Sequence, residues 1–273
     1  MSETDPCQSA GRLLADASRV VILTGAGIST ESGIPDFRSP GGLWSRYDPA
    51  SLTYDRFLSD PETRRLYWEI ATESYPVMRD AEPNTAHRAV AAIEREGKLL
   101  KLVTQNVDGL HQRAGSSEDC TIEIHGSALK ARCTACGRDH DREAIHRELT
   151  AGRKEVPMCE GCGGPVKPAT ISFGQAMPEH ETAQAFSAAA DCDLMLVIGS
   201  SLVVYPAAAV PEVAVQGGAP LVIVNREPTG HDRIAHITAG GAAGESMARI
   251  LAAAGIALDA GDATASSRPD RLH

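Results

Sequence analysis

Nowhere in the 273 residues does an apolar run approach the roughly 18 needed to cross a bilayer, which rules out a membrane-spanning helix. A secretory signal is missing as well: MSETDPCQ is acidic and polar where such a signal needs basic residues and then an apolar stretch, so the expected location is cytoplasmic. The chain also lacks positive charge. A net charge of −10 with a pI of about 5.4 is the wrong sign for holding a phosphate backbone, and neither nucleic acid nor membrane is an expected partner. Seven cysteines, an odd number in a cytoplasmic chain, read better as metal ligands plus free thiols than as a disulfide framework. There is no internal repeat, and 259–273 (DAGDATASSRPDRLH) has almost no large apolar residue, a composition expected to stay disordered. What is present is ample for a buried core: 42% hydrophobic and 23% charged residues, enough for one large domain or two smaller ones.

Short, continuously apolar runs alternate with helical stretches, the pattern of an α/β protein whose strands are buried on both faces of a parallel sheet. Candidate strands are 19–24 (RVVILT), 99–104 (LLKLVT), 121–125 (TIEIH), 169–173 (ATISF), 194–199 (LMLVIG) and 221–225 (LVIVN). Helices are expected at 9–17, 84–96, 178–190, 207–216 and 244–254. Open α/β sheets bind ligands beyond the carboxyl ends of their strands, and these strands end in polar or glycine-rich residues. Two stretches break the alternation, the helical 53–75 with Trp68 and the Gly-, Cys- and charge-rich 126–167. Both are expected to form a second, smaller domain.

Gly25-Ala26-Gly27-Ile28-Ser29-Thr30 follows the first strand, where glycines let backbone N–H groups approach a pyrophosphate. Its sixth position is Thr30 where the dinucleotide fingerprint has Gly or Ala, and no acidic residue ends a second strand about 20 residues on; alone, the turn fits a ligand-free loop equally well. Next comes a loop, Glu31 to Arg38, closed by Ser39-Pro40-Gly41-Gly42. Phe37 there can cover a reactive centre and Arg38 can pair with phosphate, although a solvated loop with one buried Phe has the same composition. Thr104-Gln105-Asn106-Val107-Asp108-Gly109-Leu110-His111 brings amides and a carboxylate to a strand end, suited to sugar hydroxyls and a carboxamide or to capping the next helix. His111 reads as a surface or packing histidine. His125, at a strand end before Gly126, can serve as a general base near neutral pH or as a structural histidine. Gly199-Ser200-Ser201 and Asn225-Arg226-Glu227 end the last two strands and suit an adenosine or a tight turn.

The strongest signal is a pair of C-x-x-C knuckles, Cys133/Cys136 and Cys159/Cys162, with 22 residues between the pairs. Four thiolates suit one structural Zn2+ with no coordination position left for chemistry. Cys7, Cys120 and Cys192 read as free thiols.

In this order the motifs resemble those of the sirtuins, NAD-dependent protein-lysine deacylases, in their bacterial form. The matching stretches are GAGIS (25–29), SGIPDFR (32–38), TQNVDGLH (104–111), HG (125–126), both cysteine pairs, SFG (172–174), GSSLVVYPAA (199–208) and VN (224–225), spread over roughly residues 10 to 255. The resemblance implies a Rossmann-like NAD-binding large domain from 8–44, 76–126 and 168–258. It implies a small domain made of a helical insertion at 45–75 and a zinc ribbon at 127–167, with NAD and an acyl-lysine peptide meeting between the two. It also implies that acetylated lysine-containing proteins are the partners; a monomer is compatible with the sequence.

Carried over by position, Ala26, Gly27, Arg38, Ser200, Ser201, Asn225 and Ala243 would hold the adenosine and phosphates of NAD, and Gln105 the nicotinamide ribose. Ile34, Asn106 and Asp108 would form the nicotinamide pocket, with Gly25, Asp36, Val107, Gly199, Arg226 and Glu227 completing the site. Ile171, Phe173, Gly174, Gln175, Leu202, Val203 and Val204 would meet the acyl-peptide, and His125 with Asn106 would carry the chemistry. In the family mechanism the acyl oxygen attacks the anomeric carbon, nicotinamide leaves, and the matching histidine takes a ribose hydroxyl proton. Phe37 would shield that centre from water. Expected products are nicotinamide, free lysine and O-acetyl-ADP-ribose. ADP-ribosyl transfer to protein and a non-catalytic NAD-sensing scaffold are the competing readings.

Two departures bear on substrate choice. Ser172-Phe173-Gly174-Gln175 stands where relatives often have a large apolar residue and then Phe-Gly-Glu. Relatives that remove succinyl or malonyl groups carry Tyr-x-x-Arg in the helical insertion, and counting from Asp60-Pro61-Glu62 puts Trp68 and Ala71 there, which favours acetyl or a longer neutral acyl group.

Overall fold

A computed structural model describes residues 5–36, 46–153 and 155–258. Six parallel strands form the main sheet: β1 (Val20–Thr24), β2 (Leu99–Thr104), β3 (Thr121–Glu123), β7 (Leu194–Ile198), β8 (Leu221–Val224) and β9 (Ile237–Ala239), in the order β3-β2-β1-β7-β8-β9. The order runs outward in both directions from the centre, as in doubly wound dinucleotide-binding folds, with the reversal between β1 and β7. Every residue of β1, β7 and β8 is buried, which accounts for their uninterrupted apolar sequence.

Helices cover both faces. On one, α1 (Pro6–Asp16), α4 (Thr85–Arg95) and α9 (Ala243–Ala254) bury Leu14, Val90, Ile93, Met247 and Ile250 against Ile22, Leu102 and Leu196. On the other, α7 (Glu179–Asp191) and α8 (Val210–Gln216) bury Ala185, Ala189, Val210 and Ala214 against Leu23, Val103 and Val197. No helix among the described residues is long and apolar enough to cross a membrane.

The first stretch that breaks the alternation contains α2 (Tyr54–Ser59) and α3 (Pro61–Asp80), separated by Asp60, whose carboxylate accepts from the N–H groups of Glu62 and Thr63. The helix expected to end at residue 75 continues through Pro76 to Asp80. The second stretch is an antiparallel sheet, β5-β4-β6, of β4 (Gly126–Cys133), β5 (Asp139–His140) and β6 (Val166–Thr170), with α6 (Arg142–Thr150) beside it. Its small core joins Trp68 of α3 to Ala131, Cys133, Cys159 and Val166, and the Trp68 indole N–H donates to the Val166 carbonyl at 2.9 Å.

Three expectations need correcting. The run 169–173 is no strand of the parallel sheet: β6 ends at Thr170 in the antiparallel sheet, and Ile171 continues by donating its N–H to the His125 carbonyl. An apolar alternation fits either sheet, so the pattern could not choose. The strand expected through His125 is shorter, and β3 stops at Glu123. The segment after Gly25 is a 3₁₀ helix, Ala26–Ser32, and β9 is a strand too short to stand out from its flanks. Residues 37–45, which include Phe37 to Gly42 at the end of the expected loop, and 259–273, expected to stay disordered, lie outside the described residues.

Candidate active site

The carboxyl ends of β1 and β7 face each other at the point where strand order reverses. Gly27 donates its N–H to the Gly199 carbonyl at 2.8 Å, and a Cβ on Gly27 would stand 2.8 Å from that oxygen. Gly199 has φ +62, and a Cβ there would come within 2.2 Å of the Ile28 nitrogen. Two loops far apart in sequence thus approach closely enough to leave a bare backbone surface at the sheet edge. Such a surface suits a dinucleotide, whose phosphates need N–H groups without side chains in the way. From it a cavity of about 760 Å³ extends toward α3 and the antiparallel sheet.

Most residues expected in the site line this one cavity. Gly25, Ala26, Gly27, Asp36, Gly199, Ser200, Ser201, Asn225, Arg226, Glu227 and Ala243 border its sheet end. Gln105, Asn106, Val107 and His125 stand in the middle, and Ile171, Phe173, Gly174, Gln175 and Val204 border the other side. Phe37 and Arg38 lie outside the described residues.

Four expected residues do not border it. Leu202, expected among the peptide contacts, has φ +54 and turns its side chain into the core beneath α8, while Val203 beside it is exposed. Ile34 is buried against Ala81 and Leu110, and Asp108 lies behind the wall. Its carboxylate accepts from Ser29 Oγ at 2.7 Å and from the Leu110 N–H at 3.0 Å, so it braces Ser29 and the start of the following helix from behind the wall. Burial raises the Asp108 carboxyl above its ordinary pKa. Ser29 Oγ also accepts from Asn106 Nδ2 at 3.0 Å, and this fixes the Asn106 amide at the cavity edge.

His125 is held by its other nitrogen. Nδ1 lies 3.1 Å from the Gln105 carbonyl, which can only accept, so Nδ1 carries the hydrogen and Nε2 keeps its lone pair. Burial lowers the imidazole below its ordinary pKa of 6.5, only partly opposed by the Gln105 contact. A neutral imidazole with a free Nε2 at the cavity wall can accept a proton. Gln105 is braced in turn, Nε2 donating to Ser200 Oγ at 2.8 Å, which ties the ends of β2 and β7 together.

His111 is buried, with Nε2 2.9 Å from Thr24 Oγ1, so packing rather than the surface accounts for it. The cavity also has walls the sequence did not point to: Tyr67, Ile70, Ser74 and Tyr75 of α3, and Arg142 of α6. Helical spacing of 67, 70, 71, 74 and 75 was the available signal, and it reads as ordinary core. Nothing in the sequence singles out Arg142. Trp68 turns away from the cavity into the small core, whereas Ala71 faces it.

The thiol sulfurs of Cys133, Cys136, Cys159 and Cys162 all lie within 4.8 Å of one another, with the closest pairs at 3.5 and 3.8 Å. A tetrahedral Zn2+ with bonds of about 2.3 Å needs sulfurs about 3.8 Å apart, so the four thiolates fit it.

A parallel sheet with a glycine cradle at its switch point, joined to a four-cysteine ribbon, defines a dinucleotide-binding α/β protein with a zinc module. The Sir2 family model matches residues 25–206, and the chain belongs to that family. It is 45% identical over 237 residues to an NAD-dependent protein deacetylase of Rhodopseudomonas palustris, covering 87% of this chain and 92% of the relative. An NAD-dependent protein deacylase 1 of Pseudomonas aeruginosa is also 45% identical, over 88% of this chain and 95% of its own. Among solved structures, Sir2 with a deacetylated peptide and 3′-O-acetyl ADP ribose superposes with a TM-score of 0.84 at 37% identity, covering 92% of this chain and 99% of the other. Sir2 with a peptide and NAD+ gives 0.80 at 38% identity, over 89% and 96%.

Proposed function

We propose that this protein removes acetyl groups from lysine residues of other proteins with NAD as co-substrate, giving nicotinamide, free lysine and O-acetyl-ADP-ribose. The observation that carries the reading is the neutral His125, held through Nδ1 with Nε2 free, between a glycine cradle and the Ile171–Gln175 segment. NAD supplies an anomeric carbon with a good leaving group and a ribose hydroxyl. The chain supplies the rest. Gly25, Ala26, Gly27, Gly199, Ser200 and Ser201 bind the phosphates and adenosine end, with Asn225, Arg226, Glu227 and Ala243 around it. Gln105 orients the ribose, Asn106 holds the carboxamide with Asp108 bracing it from behind through Ser29, and His125 Nε2 takes the hydroxyl proton.

Ile171, Phe173, Gly174, Gln175 and Val204 receive the acyl-lysine peptide. Gly174 with φ +77 and the Ser172 N–H to Gln175 Oε1 bond at 3.1 Å shape that segment into a turn, so Gln175 braces its own loop. We read the part around the parallel sheet as the NAD-binding domain and the α2–α3 segment with the cysteine ribbon as the small domain. A cytoplasmic setting belongs to the same reading, since thiolate zinc ligands and unpaired cysteines suit a reducing compartment.

The test is to incubate the purified protein with NAD and an acetyl-lysine peptide and resolve products by mass. Nicotinamide and O-acetyl-ADP-ribose should form in equal amounts with the deacetylated peptide. ADP-ribose attached to protein, without acetyl transfer, would instead mark a transferase.

A further inference from the structure

Lys167 lies in β6, next to Val166 of the ribbon core, and is 3% exposed. Its ammonium donates to the Thr170 carbonyl and lies 3.4 Å from Thr170 Oγ1 and 3.5 Å from Tyr67 Oη, above the Tyr67 ring. Tyr67 Oη in turn lies 3.1 Å from Thr170 Oγ1 and 3.2 Å from Ser172 Oγ. An ammonium can only donate, so the phenol turns a lone pair to it and its own hydrogen toward the hydroxyls of Thr170 and Ser172.

Burial lowers the Lys167 pKa below 10.5, and Tyr67 is the ionisable group that opposes the shift; no carboxylate among the described residues pairs with the ammonium. A methionine would fill the same space without desolvating a charge, so packing does not account for a lysine here. What the ammonium holds is the start of the segment that receives the acyl-peptide. Past Ile171, which still donates to the His125 carbonyl, that segment leaves the sheet, and Phe173 is 43% exposed. Beyond its own turn it is held by the Tyr54 N–H, which donates to the Phe173 carbonyl at 2.9 Å, and by the Tyr67 phenol. Tyr67, Thr170, Ser172 and Phe173 line the active-site cavity, and Lys167 stands behind them.

We propose that Lys167 is a positioning residue for the acyl-peptide: through the Thr170 carbonyl and the Tyr67 phenol it holds residues 171–175 in their receiving form before the peptide arrives. The inference rests on the deacylase reading and gives it a residue that touches neither peptide nor NAD. A segment already held in its bound form loses less conformational freedom on binding, so its holder acts on affinity. The effect falls on one substrate only. The glycine cradle belongs to the edge of the parallel sheet, which shares no residue with this cluster. Ile171 keeps its own bond to the His125 carbonyl, so the base stays in place when Lys167 is lost.

The test measures binding of a fluorescein-labelled acetyl-lysine peptide by anisotropy without NAD, then kcat and both KM values with NAD. Lys167→Met and Tyr67→Phe should each weaken peptide binding and raise peptide KM about 10-fold, with kcat and the KM for NAD changed by less than about twofold. The double variant should be little worse than either single one, since both substitutions remove the same brace. Zinc content and melting temperature are read on every variant. Unchanged peptide affinity in both single variants overturns the proposal. So does an equal loss of peptide and NAD affinity, which is what general loosening of the small domain gives. Should Lys167→Met fail to fold, Tyr67→Phe decides by the same comparison. If the wild type binds the peptide but releases no acetyl group, the deacylase reading fails while the binding comparison still judges Lys167; if it does not bind the peptide at all, both fall.

Discussion

His125 derives its role from a hydrogen bond made on the side away from the cavity. Because the Gln105 carbonyl holds Nδ1–H, the ring cannot rotate or change tautomer without losing that bond, and Nε2 stays available. His125→Ala should therefore lower kcat by roughly 10²- to 10⁴-fold, the usual worth of a positioned base. NAD affinity and zinc content should stay close to wild type, and near-normal deacetylation by the variant would end the assignment. The pH profile is a second measure. The base works only when neutral, and burial puts its pKa below 6.5, so the acid limb of log kcat/KM should lie below pH 6.5. A limb near pH 7.5 would mean that another group titrates.

At the scale of elements, the cysteine ribbon is a clamp for α3. Trp68 is held by the Val166 carbonyl in a core that includes Cys133 and Cys159, so the metal that gathers the cysteines also fixes the helix that walls the cavity. Removing zinc with a chelator, or Cys133→Ala, should lower the melting temperature and solubility and weaken acyl-peptide binding. A metal-free protein that stays folded, binds NAD and peptide normally and loses only turnover would show a catalytic metal instead. The ribbon was legible in sequence because C-x-x-C spacing is a local property. So were the central strands, whose burial on both faces leaves no polar position, and the motifs at their ends, since a parallel sheet gathers those ends at one edge. Pro76 hid the last turn of α3, because a proline reads as a stop although this helix carries it. Arg142 was illegible for another reason: it is one of many arginines, and its place in the cavity wall comes from α3 passing beside it, 71 residues away in sequence.

At the scale of the molecule, a buried polar seam stitches the two motifs nearest the active site to α4. Thr24 Oγ1 donates to Thr104 Oγ1 at 2.8 Å and meets His111 Nε2, while Ser29 Oγ lies 3.4 Å from His87 Nε2. The rings of His87 and His111 stand 4.9 Å apart. Burial, then the nearby Arg88, brings His87 from 6.5 down to about 3, and burial, then His87 itself, depresses His111. Two buried histidines so close resist charging while the fold is intact, yet both take protons near pH 6.5 once unfolded. Above that pH their contribution to stability is fully present. As pH falls below it the unfolded chain binds protons that the folded one refuses, at about 1.4 kcal/mol per pH unit for each histidine, until His87 titrates in the folded state. Asp108 acts in the opposite sense, because its raised pKa lets the folded state take a proton first, further down the pH scale. Urea midpoints measured between pH 7.5 and 5.5 should therefore fall with acid, and His87→Gln should reduce the slope. Zinc release adds to the loss in both proteins, so the difference between slopes isolates the histidine. Identical slopes would mean that His87 charges readily in place, contrary to its burial beneath Ser29 and against His111.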